Sequence, residues 1–267
     1  MKSALLAARS TFWIAALAFV LAGCGSSPSF NDKDSAEKLY ADARDDMAAG
    51  SYDKAIKTLE RVEGRAAGTL LAQQAQLDLA YSQWKTGERA ASLSTLERFI
   101  KVHPSSPALD YALYLRGLVN FNDNLGILSS ISRQDISERD QQASRDAYQA
   151  FKQLVDQFPD SRYSADARLR MDYIVNALAQ YELHVARYYY RRGAYVAAAN
   201  RAQQAVREFQ QTPSVEEALY ILAQSYDKLG LPELRDDADR VLRKNYPDSR
   251  FLREGIRKPD DPWWKIW

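Results

Sequence analysis

His103, His184 and Cys24 are the only imidazole and thiol side chains among 267 residues. The two histidines stand 81 residues apart, and neither has a second His or Cys three or four positions away to place two metal ligands on one helix face. A structural role is expected for both. The chain has no phosphate-cradling P-loop, no GxSxG elbow and no GxGxxG turn. Carboxylates do occur in pairs, as Asp45-Asp46, Asp236-Asp237 and Asp260-Asp261. Adjacent residues on a helix point about 100° apart, so these pairs suit solvated faces better than acid–base partnership. Neither catalysis nor a resident metal or cofactor is expected.

Binding chemistry stands out in two places. Between Leu183 and Arg207 lie Arg187, Arg191, Arg192, Arg201 and Arg207 with no acid, interleaved with Tyr188, Tyr189, Tyr190 and Tyr195. The whole chain carries 36 basic and 35 acidic residues, so a local charge of +5 is an anomaly. Arg and Tyr are enriched at protein interface hot spots, which fits an acidic protein partner. Arginines stacked over their own tyrosines would use the same residues. The second place is a set of aromatic and long side chains at groove-facing helix positions: Tyr40, Arg44, Leu77, Tyr81, Trp84, Tyr111, Tyr114 and Phe121. An aromatic groove holds an extended or unfolded peptide by alternate side chains. Packing between neighbouring helices must claim some of this set.

The elements that would position these residues repeat along the chain. Gly50 to Gly87 is 37 residues and Gly193 to Gly230 is 37 again. The clearest copy runs Leu219, Leu222, Ala223, Tyr226, Gly230, Leu242, Pro247, which is tetratricopeptide spacing. Glycine ends the first helix of each pair, small residues such as Ala80, Gly117, Ala186 and Ala223 let paired helices approach, and Pro104, Pro159 and Pro247 stop the second. The expected fold is all-α, an α-solenoid of five tetratricopeptide helix pairs over 35–254, with a concave face made mainly by the first helices. Its repeats are expected at 36–69, 73–106, 110–161 with an insertion at 122–141, 179–212 preceded by a helical extension 162–178, and 216–249. The stretch from Ala165 to Arg192 runs as one long helix or breaks once.

Residues 1–23 read as a signal peptide: Lys2 and Arg9 precede eleven apolar residues, Phe12 to Ala22. Eleven residues are too few to span a bilayer core, which takes about 20 in helix. Leu21-Ala22-Gly23-Cys24 then forms a lipobox, and Cys24 is expected to carry S-diacylglycerol and N-acyl lipid. Two or more acyl chains anchor stably, so the protein is expected to sit on the membrane without crossing it. Gly25 after the cysteine favours the periplasmic face of the outer membrane. Residues 24–34 are polar and turn-rich, a tether with a reach of roughly 15 to 20 Å. In that compartment nucleic acid is not an expected partner.

Five tetratricopeptide repeats behind a lipobox, together with Gln76-Leu77-Asp78-Leu79, Asp110-Tyr111, Tyr114-Leu115-Arg116-Gly117-Leu118, an insertion ending Glu138-Arg139-Asp140, Gly193-Ala194-Tyr195-Val196-Ala197 and Asn200-Arg201, resemble the BamD (ComL) family. These are lipoproteins of the outer-membrane β-barrel assembly machinery, and the likeness runs to about Ser249. The resemblance implies a scaffold rather than an enzyme. Its C-terminal repeats would bind a POTRA domain of the barrel subunit BamA, with Arg201 matching the family's contact arginine and Arg187, Arg191, Arg192 and Tyr195 around it. Its N-terminal repeats would bind the targeting strands of unfolded outer-membrane proteins, and other lipoproteins of the machinery are implied partners. Arg65-Ala66-Ala67-Gly68-Thr69-Leu70-Leu71 departs from the family's aromatic-Pro turn, and within the Trp-rich tail 255–267 the stretch from Pro259 to Trp267, with Trp263, Trp264 and Trp267, is additional. The tail tryptophans could anchor a partner, meet the membrane interface, or dock on the last repeat. A rival function is a periplasmic adaptor that recruits cell-wall enzymes. Replacing the anchor residue, Cys24→Ser, is expected to abolish palmitate labelling in cells and move the chain from the membrane to the soluble fraction.

Overall fold

The computed structural model describes residues 35–121 and 141–255. The expected signal peptide, Cys24 with its tether, all but the last residue of the 122–141 insertion, and the tail from residue 256 onward lie outside the described residues. Among the described residues the regular structure is helical: α1 Ala36–Ala48, α2 Tyr52–Arg65, α3 Leu70–Lys85, α4 Arg89–Val102, α5 Leu109–Asn120, α6 Gln141–Gln157, α7 Ser164–Arg191, α8 Tyr195–Glu208, α9 Ser214–Lys228, α10 Pro232–Asn245 and α11 Arg250–Glu254. The helices follow the expected pairs, and the chain is an all-α protein of the tetratricopeptide solenoid class. It divides into two compact units, with the boundary at Ala75 and Gln76.

The turn inside four of the five pairs is made the same way. Gly50, Gly87, Gly193 and Gly230 adopt φ of +74°, +85°, +77° and +69°, the left-handed region that a side chain disfavours. In each case the next residue donates its N–H back across the helix end: Ser51 to Asp46, Glu88 to Gln83, Ala194 to Tyr189 and Leu231 to Tyr226, at 2.8 to 3.0 Å. This is the Schellman closure, which satisfies a carbonyl that the helix itself leaves open. The second helices also end alike. His103, Phe158, Phe209 and Tyr246 each donate their N–H to the carbonyl four residues back, and each accepts from the residue three ahead. Pro104, Pro159 and Pro247 follow three of these aromatic caps directly.

In the first unit Leu39 and Ala43 of α1 pack with Ala55, Leu59 and Val62 of α2, all buried. The second unit has a run of linked cores. Leu77, Ala80, Leu96, Phe99, Ala112 and Leu115 form one across α3, α4 and α5. Three short polar links lie beside it: Ser92 Oγ donates to Ala80 O at 2.7 Å, Thr95 to Gln83 at 2.9 Å, and Gln76 to Thr95 O at 3.4 Å. Leu113, Phe151, Leu154 and Ile174 form the next across α5, α6 and α7. Each such side chain, fully buried, contributes about 1.5 to 3 kcal/mol. The core around α8 is alanine-rich, with Ala186, Ala198, Ala202, Ala205 and Ala218 buried, which lets backbones come close.

Gly117 sits in the middle of α5 rather than at a turn, and a Cβ there would lie 2.3 Å from the Phe151 ring. The ring occupies the space that any other residue would need.

The stretch whose continuity the sequence left open is one helix of 28 residues, α7. It contains no Gly or Pro and rises about 42 Å at 1.5 Å per residue. Gly117→Ala and Gly193→Ala separate the two uses of glycine. Gly193 has open space around its missing Cβ. Its substitution is expected to cost about 1 kcal/mol from backbone strain alone. Gly117→Ala is expected to cost about 3 kcal/mol or more by overpacking, despite unstrained dihedrals. Thermal unfolding of the two variants checks the order.

Candidate interaction surfaces

Tyr40 and Arg44 lie one turn apart on α1 in the first unit, half-buried and exposed respectively. The other groove candidates belong to the second unit. Leu77, expected in the groove, is buried in the core instead, because its position on α3 points at Leu96 and Phe99. Tyr81 and Trp84 are half-buried, with ring centroids 5.9 Å apart edge-on, and the Lys85 ammonium lies over both rings at 5.4 and 4.9 Å.

Tyr111 and Tyr114 on α5 and Phe121, its C-terminal cap, meet residues of α7 and the turn before it. Tyr114 stacks on Tyr163 at 4.8 Å, and Tyr111 approaches the same ring at 5.5 Å. Phe121 meets Tyr173 edge-on at 5.8 Å, with the Arg170 guanidinium 5.0 Å above its ring. The Tyr114 hydroxyl donates to Asp166 at 2.7 Å, and Arg170 pairs with the same carboxylate at 2.5 Å. The α5 aromatics therefore continue onto α7 as one half-buried surface bordered by exposed Leu169. Tyr163, Asp166, Arg170 and Tyr173 were not singled out from the sequence. Their signal was the spacing Asp166, Arg170, Tyr173, which is i, i+4, i+7 on one helix face.

The Asp166–Arg170–Tyr114 link sets the electrostatics of this surface. Burial pushes the Asp166 carboxyl up, but hydrogen bonds from Arg170 and Tyr114 outweigh it and hold the group below its ordinary value. The Tyr114 phenol is raised, first by burial and then by its bond to the carboxylate.

The unopposed charge expected between Leu183 and Arg207 does not survive folding. Glu182 of α7, one residue before that segment and 2% exposed, accepts from Arg201 Nη1 of α8 at 3.1 Å. Glu217 of α9, 7% exposed, accepts from Nε and Nη2 of Arg187 together. These ion pairs staple α7 to α8 and α7 to α9, and reduce the local charge to about +3 before Arg207 and Glu208, 3.7 Å apart, are counted. Arg187 and Arg201 still show 37% and 40% of their side chains to solvent. Arg191 and Arg192 are exposed at the C-terminal end of α7, where the helix dipole favours cations. Among the described residues Arg192 is the one arginine of the five that lies over a tyrosine, 5.4 Å from the Tyr188 centroid. Tyr195 is half-buried and meets Tyr190 edge-on at 5.6 Å, while Val196 beside it is exposed.

His103 caps α4 against Phe99, 5.2 Å between ring centroids. Among the described residues no group of three or more His, Cys, Asp or Glu could hold a metal ion, and no helix is long and apolar enough to cross a membrane.

Residues 32–242 match the family model YfiO, described as outer membrane lipoprotein. The outer membrane protein assembly factor BamD of Neisseria meningitidis serogroup A is 46% identical over 258 residues, covering 94% of this chain and 96% of that protein. The protein of the same name from Haemophilus influenzae is 33% identical over 251 residues, covering 94% and 95%. Among solved structures, a putative kinesin light chain from Podosopora anserina with TPR-like repeats is similar at 16% identity and a TM-score of 0.34, covering 79% of this chain and 96% of that one.

A depressed Asp166 contributes stability that is present at neutral pH and lost as pH falls below about 4. Tyr114→Phe keeps the ring stack but removes a group that holds the carboxyl down. The variant is expected to lose about 1 kcal/mol at pH 7 and to show a shallower further loss on acidification, checked by denaturant melts at pH 7 and pH 3.5.

Proposed function

Because the chain belongs to the YfiO family of outer membrane lipoproteins, we propose that it is an outer-membrane protein assembly factor, working as a non-enzymatic scaffold in the BAM complex. The 46% identity to a curated assembly factor over 94% of the chain carries this reading. Cys24 holds the lipid that keeps the chain on the periplasmic face of the outer membrane. The C-terminal pairs bind BamA through a POTRA domain, and the exposed cationic surface supports that assignment. Arg191, Arg192 and the solvent-facing edges of Arg187 and Arg201 offer guanidinium donors to acidic side chains, with Tyr195 and Val196 providing flanking area. The aromatic surfaces receive unfolded β-barrel protein, since partly exposed rings offer apolar area to alternate side chains of an extended strand. Within the second unit Tyr81, Trp84, Tyr111, Tyr114 and Phe121 carry this role, and Tyr173 with Arg170 widens the surface at Phe121; in the first unit Tyr40 and Arg44 carry it by themselves.

The staples decide how the BamA contact must be tested. Arg201→Glu would set a carboxylate against buried Glu182, and leaving a buried charge without its partner costs about 3 to 5 kcal/mol. Loss of binding in that variant would report the fold as much as the contact. The double variant Arg191→Glu with Arg192→Glu leaves both staples intact. It is expected to weaken binding of the chain from residue 25 to purified BamA POTRA domains at least tenfold, with unchanged circular dichroism. The neutral pair Glu182→Gln with Arg201→Gln then isolates Arg201 without a lone buried charge. Unchanged binding in both would move the interface elsewhere, and a folded wild-type chain that does not bind at all would favour the cell-wall adaptor.

A further inference from the structure

The last helix pair carries a cleft that the assembly role does not use. Val206 of α8, Val215 and Leu219 of α9, Val241 of α10 and Tyr246 enclose about 420 Å³, within the range of pockets that hold drug-sized molecules. Val215 and Leu219 are buried, whereas Val241 is 39% exposed. The side chains of Gln210 and Asn245 also line the cleft. Their amide N–H groups donate to main-chain carbonyls, Arg207 O at 3.4 Å and Val241 O at 3.0 Å. Their own carbonyl oxygens accept no hydrogen bond among the described residues, so an apolar hollow is bordered by two open acceptors. Indole is the side chain with the complementary chemistry, a large apolar body and a single N–H that only donates.

We propose that this cleft is the seat of the chain's own Trp-rich tail, with Trp263 or Trp264 as the anchor. The path of the chain supports an intramolecular occupant. Leu252 of α11 packs into the same apolar cluster as Val206, Val215, Leu219 and Tyr246. Phe251 is buried against Tyr220, and Gly255 turns with φ +70° so close that a Cβ there would lie 3.2 Å from the Tyr220 hydroxyl. The described chain thus stops at the margin of the cluster that forms the cleft. Trp263 is eight positions beyond Gly255, a reach of up to roughly 26 Å. Occupancy would cover the free flank of α10, the last helix of the last pair, as terminal repeats of solenoids require.

The test uses the chain from residue 25 with Trp84→Phe, so that the three tail tryptophans alone report. Acrylamide quenching is expected to be at least threefold weaker than for a free peptide of residues 256–267. In Val241→Arg, and separately in Asn245→Arg, it should rise to the peptide's value with unchanged circular dichroism. Both positions are at least partly exposed, so the fold accommodates the longer side chain. Quenching equal to the free peptide in the parent chain, protection that neither variant removes, or protection that appears only with vesicles containing phosphatidylglycerol would each overturn the proposal.

Discussion

Paired helices can share a core only as closely as the atoms between them permit, and in this chain that distance is set by what is missing from Gly117. The Phe151 ring lies where a Cβ would be, so α6 seats that ring directly on the α5 backbone. The same constraint appears in milder form where Ala186, Ala198, Ala202 and Ala205 line the contact between α7 and α8. Close approach makes the paired helices behave as single units, and the large side chains that enter a pair, Phe99 and Phe151, are fully buried there. Tyr111, Tyr114, Phe121 and Tyr173 lie outside these interiors, half-buried or exposed at a surface.

Electrostatics then adds what packing alone leaves free. Alanine contacts are short but undirected, and helices joined only by small apolar residues can slide along one another. Glu182 with Arg201 and Glu217 with Arg187 place directional, charge-assisted bonds across α7–α8 and α7–α9. A buried pair of this kind adds little net stability, since desolvation offsets much of the attraction, but separating it is costly. The guanidinium planes are thereby held in one orientation with an outer edge still wet, so the two arginines secure the helices and remain available to a partner.

The repeats were legible in the sequence because each depends on a local rule. Gly50, Gly87, Gly193 and Gly230 are where the left-handed turn requires them, and Pro104, Pro159 and Pro247 follow helix ends as their missing N–H dictates. The unbroken run of α7 was less legible, since a missing breaker permits continuity without demanding it. The charge pattern misled for a different reason. Glu217 lies 30 residues beyond Arg187 and reaches it only through the packing of α9 on α7, which no window along the chain can register. Leu77 was assigned to the groove on spacing, yet it packs with Leu96 and Phe99 of the neighbouring helix, a contact that spacing within α3 does not register. The α7 half of the aromatic surface escaped notice because the insertion and the helical extension break the repeat's register just where Asp166, Arg170 and Tyr173 stand.

Helix α7 carries both surfaces of the second unit on one shaft. Asp166, Arg170 and Tyr173 near its start and Arg187 and Arg191 near its end fall on a single series of alternating four- and three-residue steps. Such a stripe drifts only about 20° per seven residues on a straight helix, so the aromatic end and the cationic end keep a fixed phase. Insertion or loss of one residue between them would turn one end by about 100° against the other, while seven residues would nearly restore it. The separation of the two surfaces therefore changes in steps: insertions close to whole turns, of three, four or seven residues, keep the ends within about 60° of their present phase, whereas one or two residues turn them apart.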